Sequence, residues 1–116
     1  MAWKFTRQDM LVSPDGRSWR AVSGPHGFGR IPSGRYEIGE AKEVNPASNN
    51  GGYTDADGFA WWCPLLSSAN ATHMQMGIHP DGNVPGSQAC VGIKETTSKN
   101  AYDALKSSVD RILEVE

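Results

Sequence analysis

The chain has 116 residues, 38% of them hydrophobic, and a net charge of −2 with Lys and Arg scattered along it. That length suits one domain with a single core that needs neither disulfides nor metals to fold. The charge pattern excludes a nucleic-acid footprint or a polybasic membrane patch. No apolar run is long enough to span a bilayer, and the opening MAWKFTRQDM lacks the apolar core of a signal peptide. The expectation is a soluble protein with no membrane insertion and no export address of its own.

In chain order, the first two-thirds read as β structure. Trp3-Lys-Phe-Thr alternates apolar and polar. Met10-Leu-Val-Ser, the turn Pro14-Asp15-Gly16 and Ser18-Trp-Arg-Ala-Val form a hairpin pattern. A glycine-rich loop, GPHGFG, follows at 24–29, and its His26 reads most simply as solvated. Residues 35–44 read as one long strand with Tyr36 and Ile38 on one face. Residues 45–58 (NPASNNGGYTDADG) read as an irregular surface loop or flap. Phe59-Ala-Trp-Trp-Cys-Pro-Leu-Leu is a buried strand that its proline bends or ends. Residues 73–79 alternate again, with Met74, Met76 and Ile78 on one face and His73, Gln75, Gly77 and His79 on the other. A helix is expected from about Ser98, its N-cap, with Ala101, Leu105 and Val109 at helical spacing. Ile112 to Val115 either continue that helix or form a final edge strand.

The chemistry concentrates in MGIHPDGNVPGSQACVGI, residues 76–93. His79 ends a strand. Pro80, Asp81-Gly82 and Pro85-Gly86 then turn the chain, so that Cys90 returns beside the strand it left. A neighbouring imidazolium favours the thiolate form of a cysteine. The bend at Gly86-Ser87-Gln88-Ala89 lets backbone N–H groups converge as an oxyanion hole requires. A satisfied surface histidine and an inert buried cysteine fit the same residues.

A zinc site from Cys63, His73, His79 and Cys90 fails on spacing, because no close Cys or His pair exists and the two histidines are ~20 Å apart on a straight strand. Cys63, in Trp-Trp-Cys-Pro, reads as a packed small hydrophobe. A Cys63–Cys90 disulfide is disfavoured in a chain with no export signal. Trp61 and Trp62 point to opposite faces of a strand, so one packs inside while the other can line a groove. Asp81 either stabilises its turn or orients His79.

The segment GIHPDGNVPGSQACVGI resembles the active-site segment of the YkuD-type L,D-transpeptidases, in which a strand ending Ile-His leads through a loop to Ser-x-x-Cys and an aliphatic residue. Ile78-His79 and Ser87-Gln-Ala-Cys90-Val91 carry that likeness, and Ile31-Pro-Ser-Gly34-Arg-Tyr36-Glu-Ile38 is similar to the family's Pro-x-Gly strand upstream. The helix and closing strand at 98–115 extend it to most of the chain. The segment departs from the pattern at Pro80 (for Gly), at Ala89 (for Gly), at Gly92 (for Arg) and in its shorter His-to-Cys interval. The His-before-Cys order separates it from papain-like peptidases.

The resemblance implies a mainly β (α+β) fold, a YkuD-like sandwich or barrel of mixed sheets with one helix near the C-terminus, and residues 1–116 as one catalytic domain. It implies acyl transfer on peptidoglycan stem peptides, as transpeptidase, carboxypeptidase or exchange enzyme. Cys90 would be the nucleophile, His79 the general base and acid, and Ser87 an orienting residue. Backbone N–H groups of Gln88, Ala89 and Cys90 would hold the oxyanion. Asp81, Trp61, Trp62 and Gly77 are the candidates to line the substrate site, and neither a metal nor another cofactor is called for. The departures favour a compact branch, of the kind found among phage proteins and secreted bacterial toxins. Such a protein would reach the cell wall after lysis or through a dedicated secretion machine, with an immunity or delivery partner in the latter case. The alternative is a catalytically inactive peptidoglycan-binding or virion structural module of the same fold.

Overall fold

A computed structural model of the protein describes residues 2–23, 31–44, 54–66, 76–80, 91–95 and 97–116. These form strands β1 (Trp3–Phe5), β2 (Met10–Val12), β3 (Ser18–Ser23), β4 (Gly34–Ile38), β5 (Lys42–Glu43), β6 (Trp61–Leu66), β7 (Met76–Pro80), β8 (Val91–Ile93) and β9 (Ile112–Val115), with one helix, α1 (Lys99–Ser107). Alternation dictates the strands. In β1, Trp3 and Phe5 are buried and Lys4 is exposed; in β6, Trp61, Cys63 and Leu65 point into the core.

The β2–β3 hairpin forms as its sequence predicts, with Leu11 opposite Trp19. Its loop is a type I turn closed by Gly16 at φ 93°, a conformation that glycine adopts without a Cβ clash. Strands run in the order β4-β9-β1-β2-β3-β8-β7-β6-β5, and β4 also pairs with β6. That last pairing closes eight strands into a mixed barrel, which removes the exposed edges an open sheet would carry. β1–β9 and β7–β8 are parallel pairs, and the other pairs are antiparallel.

The stretch 35–44 is two strands rather than one long strand. Ile38 pairs with Leu65 and Lys42 with Trp62, so one more residue lies between the partners on this side than on β6. The result is a bulge at 39–41. Gly39 makes it feasible, because a Cβ there would lie 2.7 Å from Pro64 Cγ. Pro64 therefore does not end β6. It sits opposite the bulge, where its carbonyl accepts from Gly39 N at 2.8 Å and its missing N–H costs no ladder bond.

Three indoles reach from the barrel interior to the helix. Trp61 Nε1 donates to Ser98 Oγ (2.8 Å), Trp19 Nε1 to Asn100 Oδ1 (3.1 Å) and Trp3 Nε1 to Ser108 Oγ (3.0 Å). Ala101, Tyr102, Ala104 and Leu105 form the buried helix face. Val109 does not belong to it: the helix stops at Ser107, the backbone of Ser108 is extended, and Val109 is 93% exposed. Arg111 explains the stop, since its guanidinium donates to the carbonyls of Leu105, Ser108, Ile38 and Gly39 and so ties the helix end to the bulge. β9 is a strand, and it lies inside the sheet between β1 and β4 rather than at an edge. The loops at 24–30 and 45–53 lie outside the described residues.

Candidate active site

β7 runs between β6 and β8 and is buried along its whole length. On one face Met76 and Ile78 join Cys63 and Leu65 in the core. Gly77 and His79 occupy the other face, together with Trp62 and Pro64 of β6. The register pairs Cys63 with Ile78, and continued by one residue it sets Trp62 opposite His79. On the other side, His79 pairs with Gly92 of β8. The row across the sheet is therefore Trp62, His79, Gly92, with an aromatic on one flank of the imidazole and no side chain on the other.

His79 is fully buried, and its ring meets the Pro80 carbonyl and the Trp62 indole. Nδ1 lies 2.6 Å from the carbonyl oxygen of Pro80. A carbonyl only accepts, so Nδ1 carries the proton, and in the neutral ring Nε2 holds the lone pair. The ring plane is set by Trp62, whose indole stacks on it with centroids 5.6 Å apart and planes 15° from parallel.

β7 and β8 run parallel. A single reversal would yield an antiparallel hairpin. Here Ile78 pairs with Val91 and Pro80 with Ile93, so the ends of the 81–90 connection are ~8 Å apart, a gap ten residues span with slack. Val91, peptide-bonded to Cys90, thus pairs with Ile78, peptide-bonded to His79. Asp81, Ser87, Gln88, Ala89 and Cys90 themselves lie outside the described residues, as does His73.

The two tryptophans separate as their alternation requires. Trp61 is fully buried, packs against Tyr102 and donates to Ser98, which removes it from the candidates for substrate contact. Trp62, half-buried, is the one on the His79 face. Gly77 lies beneath it: a Cβ at this position would come within 2.5 Å of Trp62 Cζ2 and 2.6 Å of Cη2. Cys63 is a core residue. Burial pushes its thiol up to about 12, against the opposing pull of the Arg111 guanidinium, and Sγ lies 3.6 Å from Gly39 O inside the bulge.

One polar centre had no clear sequence signal. Asp55 is buried, and both carboxylate oxygens are occupied. Oδ1 accepts from the backbone of Asp57 (2.9 Å) and Phe59 (3.0 Å), and Oδ2 from Ser98 N (2.9 Å) and Ser98 Oγ (2.6 Å). Ser98 is the N-cap by position, but its hydroxyl serves Asp55 and Trp61 rather than the helix backbone. The Asp55 carboxylate, bonded to Ser98, places a negative charge at the helix N-terminus. Only the Asp-x-x-Gly turn pattern at 55–58 hinted at it. Among the described residues, no three His, Cys, Asp or Glu side chains are grouped to hold a metal ion, and no helix is long and apolar enough to cross a membrane.

No protein-family model matches the sequence, and no curated protein matches it. The structure is similar to the crystal structure of Mycobacterium tuberculosis L,D-transpeptidase 1, with a TM-score of 0.50 and 13% sequence identity over 98% of this chain. The chain spans 58% of the length of that solved chain. A closed mixed barrel with one late helix is the L,D-transpeptidase, YkuD-like fold, and this protein has that fold.

Proposed function

We propose that the protein is a cysteine-dependent acyl-transfer enzyme acting on peptidoglycan stem peptides. The observation that carries this reading is the state of His79: buried, protonated at Nδ1 by its bond to Pro80 O, and one strand away from the segment that follows Cys90. An imidazole held in that tautomer offers Nε2 as the base.

In the proposed reaction, Nε2 takes the proton from the Cys90 thiol. The sulfur attacks the carbonyl carbon of the residue before a terminal D-amino acid. The developing oxyanion is held by backbone N–H groups of Gln88 to Cys90. The C–N bond breaks, His79 returns the proton to the leaving amine, and a thioester remains on Cys90. An amine from a second stem, a free D-amino acid or water then takes the acyl group, giving transpeptidation, exchange or carboxypeptidase activity. Ser87 orients the loop, and the residues named for this chemistry supply no metal ligand set. Substrate would approach on the Trp62 face.

The test is release of D-alanine from purified tetrapeptide muropeptides by the wild type and by Cys90→Ala. Release by the wild type alone is the expected result. Equal release by both, or none by either, favours the second reading, a wall-binding or virion module of the same fold. What supports that alternative is Gly92, which stands beside His79 in register and has no side chain with which to hold a substrate carboxylate.

A further inference from the structure

We propose that Trp62, seated over Gly77, is the positioning residue for His79, fixing the plane of the imidazole and favouring its protonated form. The catalytic consequence rests on the acyl-transfer reading above; the physical pairing does not. The indole and the imidazole are cross-strand neighbours whose rings stack at 5.6 Å with an interplanar angle of 15°. Such a face attracts a cation through the ring quadrupole, most strongly where water is excluded, and His79 is fully buried. The Nδ1–H bond to Pro80 O acts in the same direction, because a carbonyl stabilises a donor that bears positive charge. Imidazolium is the form of His79 that exists once the thiol proton has moved.

Gly77 makes this arrangement feasible. The benzo edge of the indole lies where a Cβ on residue 77 would be, at 2.5, 2.6 and 2.8 Å from three ring atoms. Any side chain at 77 therefore displaces the indole from the imidazole. Among the described residues, the strands beside β7 bring few charges to the face of His79. On β6 the ionisable residue is Cys63, which lies on the core face. β8 (Val91–Ile93) has no ionisable side chain. On β5, Lys42 stands beyond Trp62 in the same row and pairs with Glu40 at 3.9 Å in solvent. Asp81 and Cys90, the ionisable residues of the next segment, lie outside the described residues.

NMR of the full chain labelled at histidine tests the proposal, with His79→Gln providing the assignment. The wild type is expected to show His79 ring protons displaced upfield by the indole. Trp62→Leu removes that displacement and lowers the His79 titration midpoint by about 0.5–1 pH unit, and Trp62→Phe recovers most of it. Gly77→Ala reproduces the shift of Trp62→Leu but adds nothing on top of it, because both act through one contact. A midpoint and tautomer that ignore Trp62→Leu and Gly77→Ala overturn the proposal, as does full additivity of the two changes. Where either variant fails to fold, the wild-type spectrum and Trp62→Phe decide: ring protons at ordinary positions in the wild type overturn it. Alkylation of Cys90 against pH, in a Cys63→Ser background, separates this proposal from the enzymatic one. A thiol profile unchanged by His79→Gln rejects acyl transfer, while the NMR result still judges the hold of Trp62 on His79.

Discussion

Two buried polar centres lie on opposite faces of the start of β6, and they are treated differently. At Trp61, the Asp55 carboxylate is surrounded by four donors from Asp57, Phe59 and Ser98, and Trp61 completes the network through the Ser98 hydroxyl. At Trp62, the His79 ring bonds to the Pro80 carbonyl and stacks on an aromatic face. The first arrangement saturates a charge and locks it. The second fixes a ring's orientation and tautomer. A saturated centre serves stability; a ring held in one tautomer is what proton transfer needs. The neighbouring tryptophans illustrate the same division, since one residue of offset sends Trp61 to the core and Trp62 to the histidine.

The contrast is broken most directly by exchanging a residue in each centre. His79→Gln is expected to reduce D-alanine release by about 10²–10⁴-fold, the usual contribution of a general acid–base. If release persists at the wild-type rate, the two centres do not differ in function. Asp55→Ala leaves the Ser98, Asp57 and Phe59 donors without their acceptor. It should destabilise the fold by about 2–3 kcal/mol, read as a fall of about 10 °C in Tm, without changing the rate per folded molecule.

A smaller effect separates the centres by pH. Burial by itself pushes the Asp55 carboxyl up, but the hydrogen bonds from Ser98, Phe59 and Asp57 outweigh it and hold the group below its ordinary value of 3.8. A folded-state value below the unfolded one means that the carboxylate's stabilisation is complete above 3.8 and is lost as pH falls from there through the folded-state value. Urea midpoints measured between pH 6 and pH 2 should therefore decline less steeply at the acid end in Asp55→Asn than in the wild type. Asp15, also held low at about 2 by hydrogen bonds from Ser13 and Arg17, is exposed, and Asp15→Asn should leave the midpoint at pH 6 nearly unchanged.

The smallest expected effect is at Cys63. With its thiol pushed up to about 12, it should resist alkylation at pH 8 in the native protein and react only on unfolding. Labelling of Cys63 under native conditions would show that the bulge opens.

Much of the fold is legible along the chain because alternation is a local property. The burial of Trp3 and Phe5, the hairpin around Pro14-Asp15-Gly16, the opposed faces of Trp61 and Trp62 and the helix beginning after Ser98 all follow from residues within a few positions of one another. The failures come where a distant residue decides. Pro64 sits within a strand because a bulge at Gly39 faces it. Val109 leaves the helix because Arg111 and Trp3 occupy the groups at its end. Ser98 gives its hydroxyl to Asp55, forty-three residues away.

By itself, then, the sequence determined the alternating faces, the turn chemistry and the order of His79 before Cys90, since spacing and φ preference act within a few residues. Only the tertiary structure decided that β7 and β8 run parallel, that β4 closes the barrel on β6, that the Ser98 hydroxyl bonds Asp55 and not the helix backbone, and that Trp62 lies on His79 over the gap left by Gly77. Those pairings join segments far apart in the chain, and register between strands is set by which faces must be buried together, a quantity no local pattern contains.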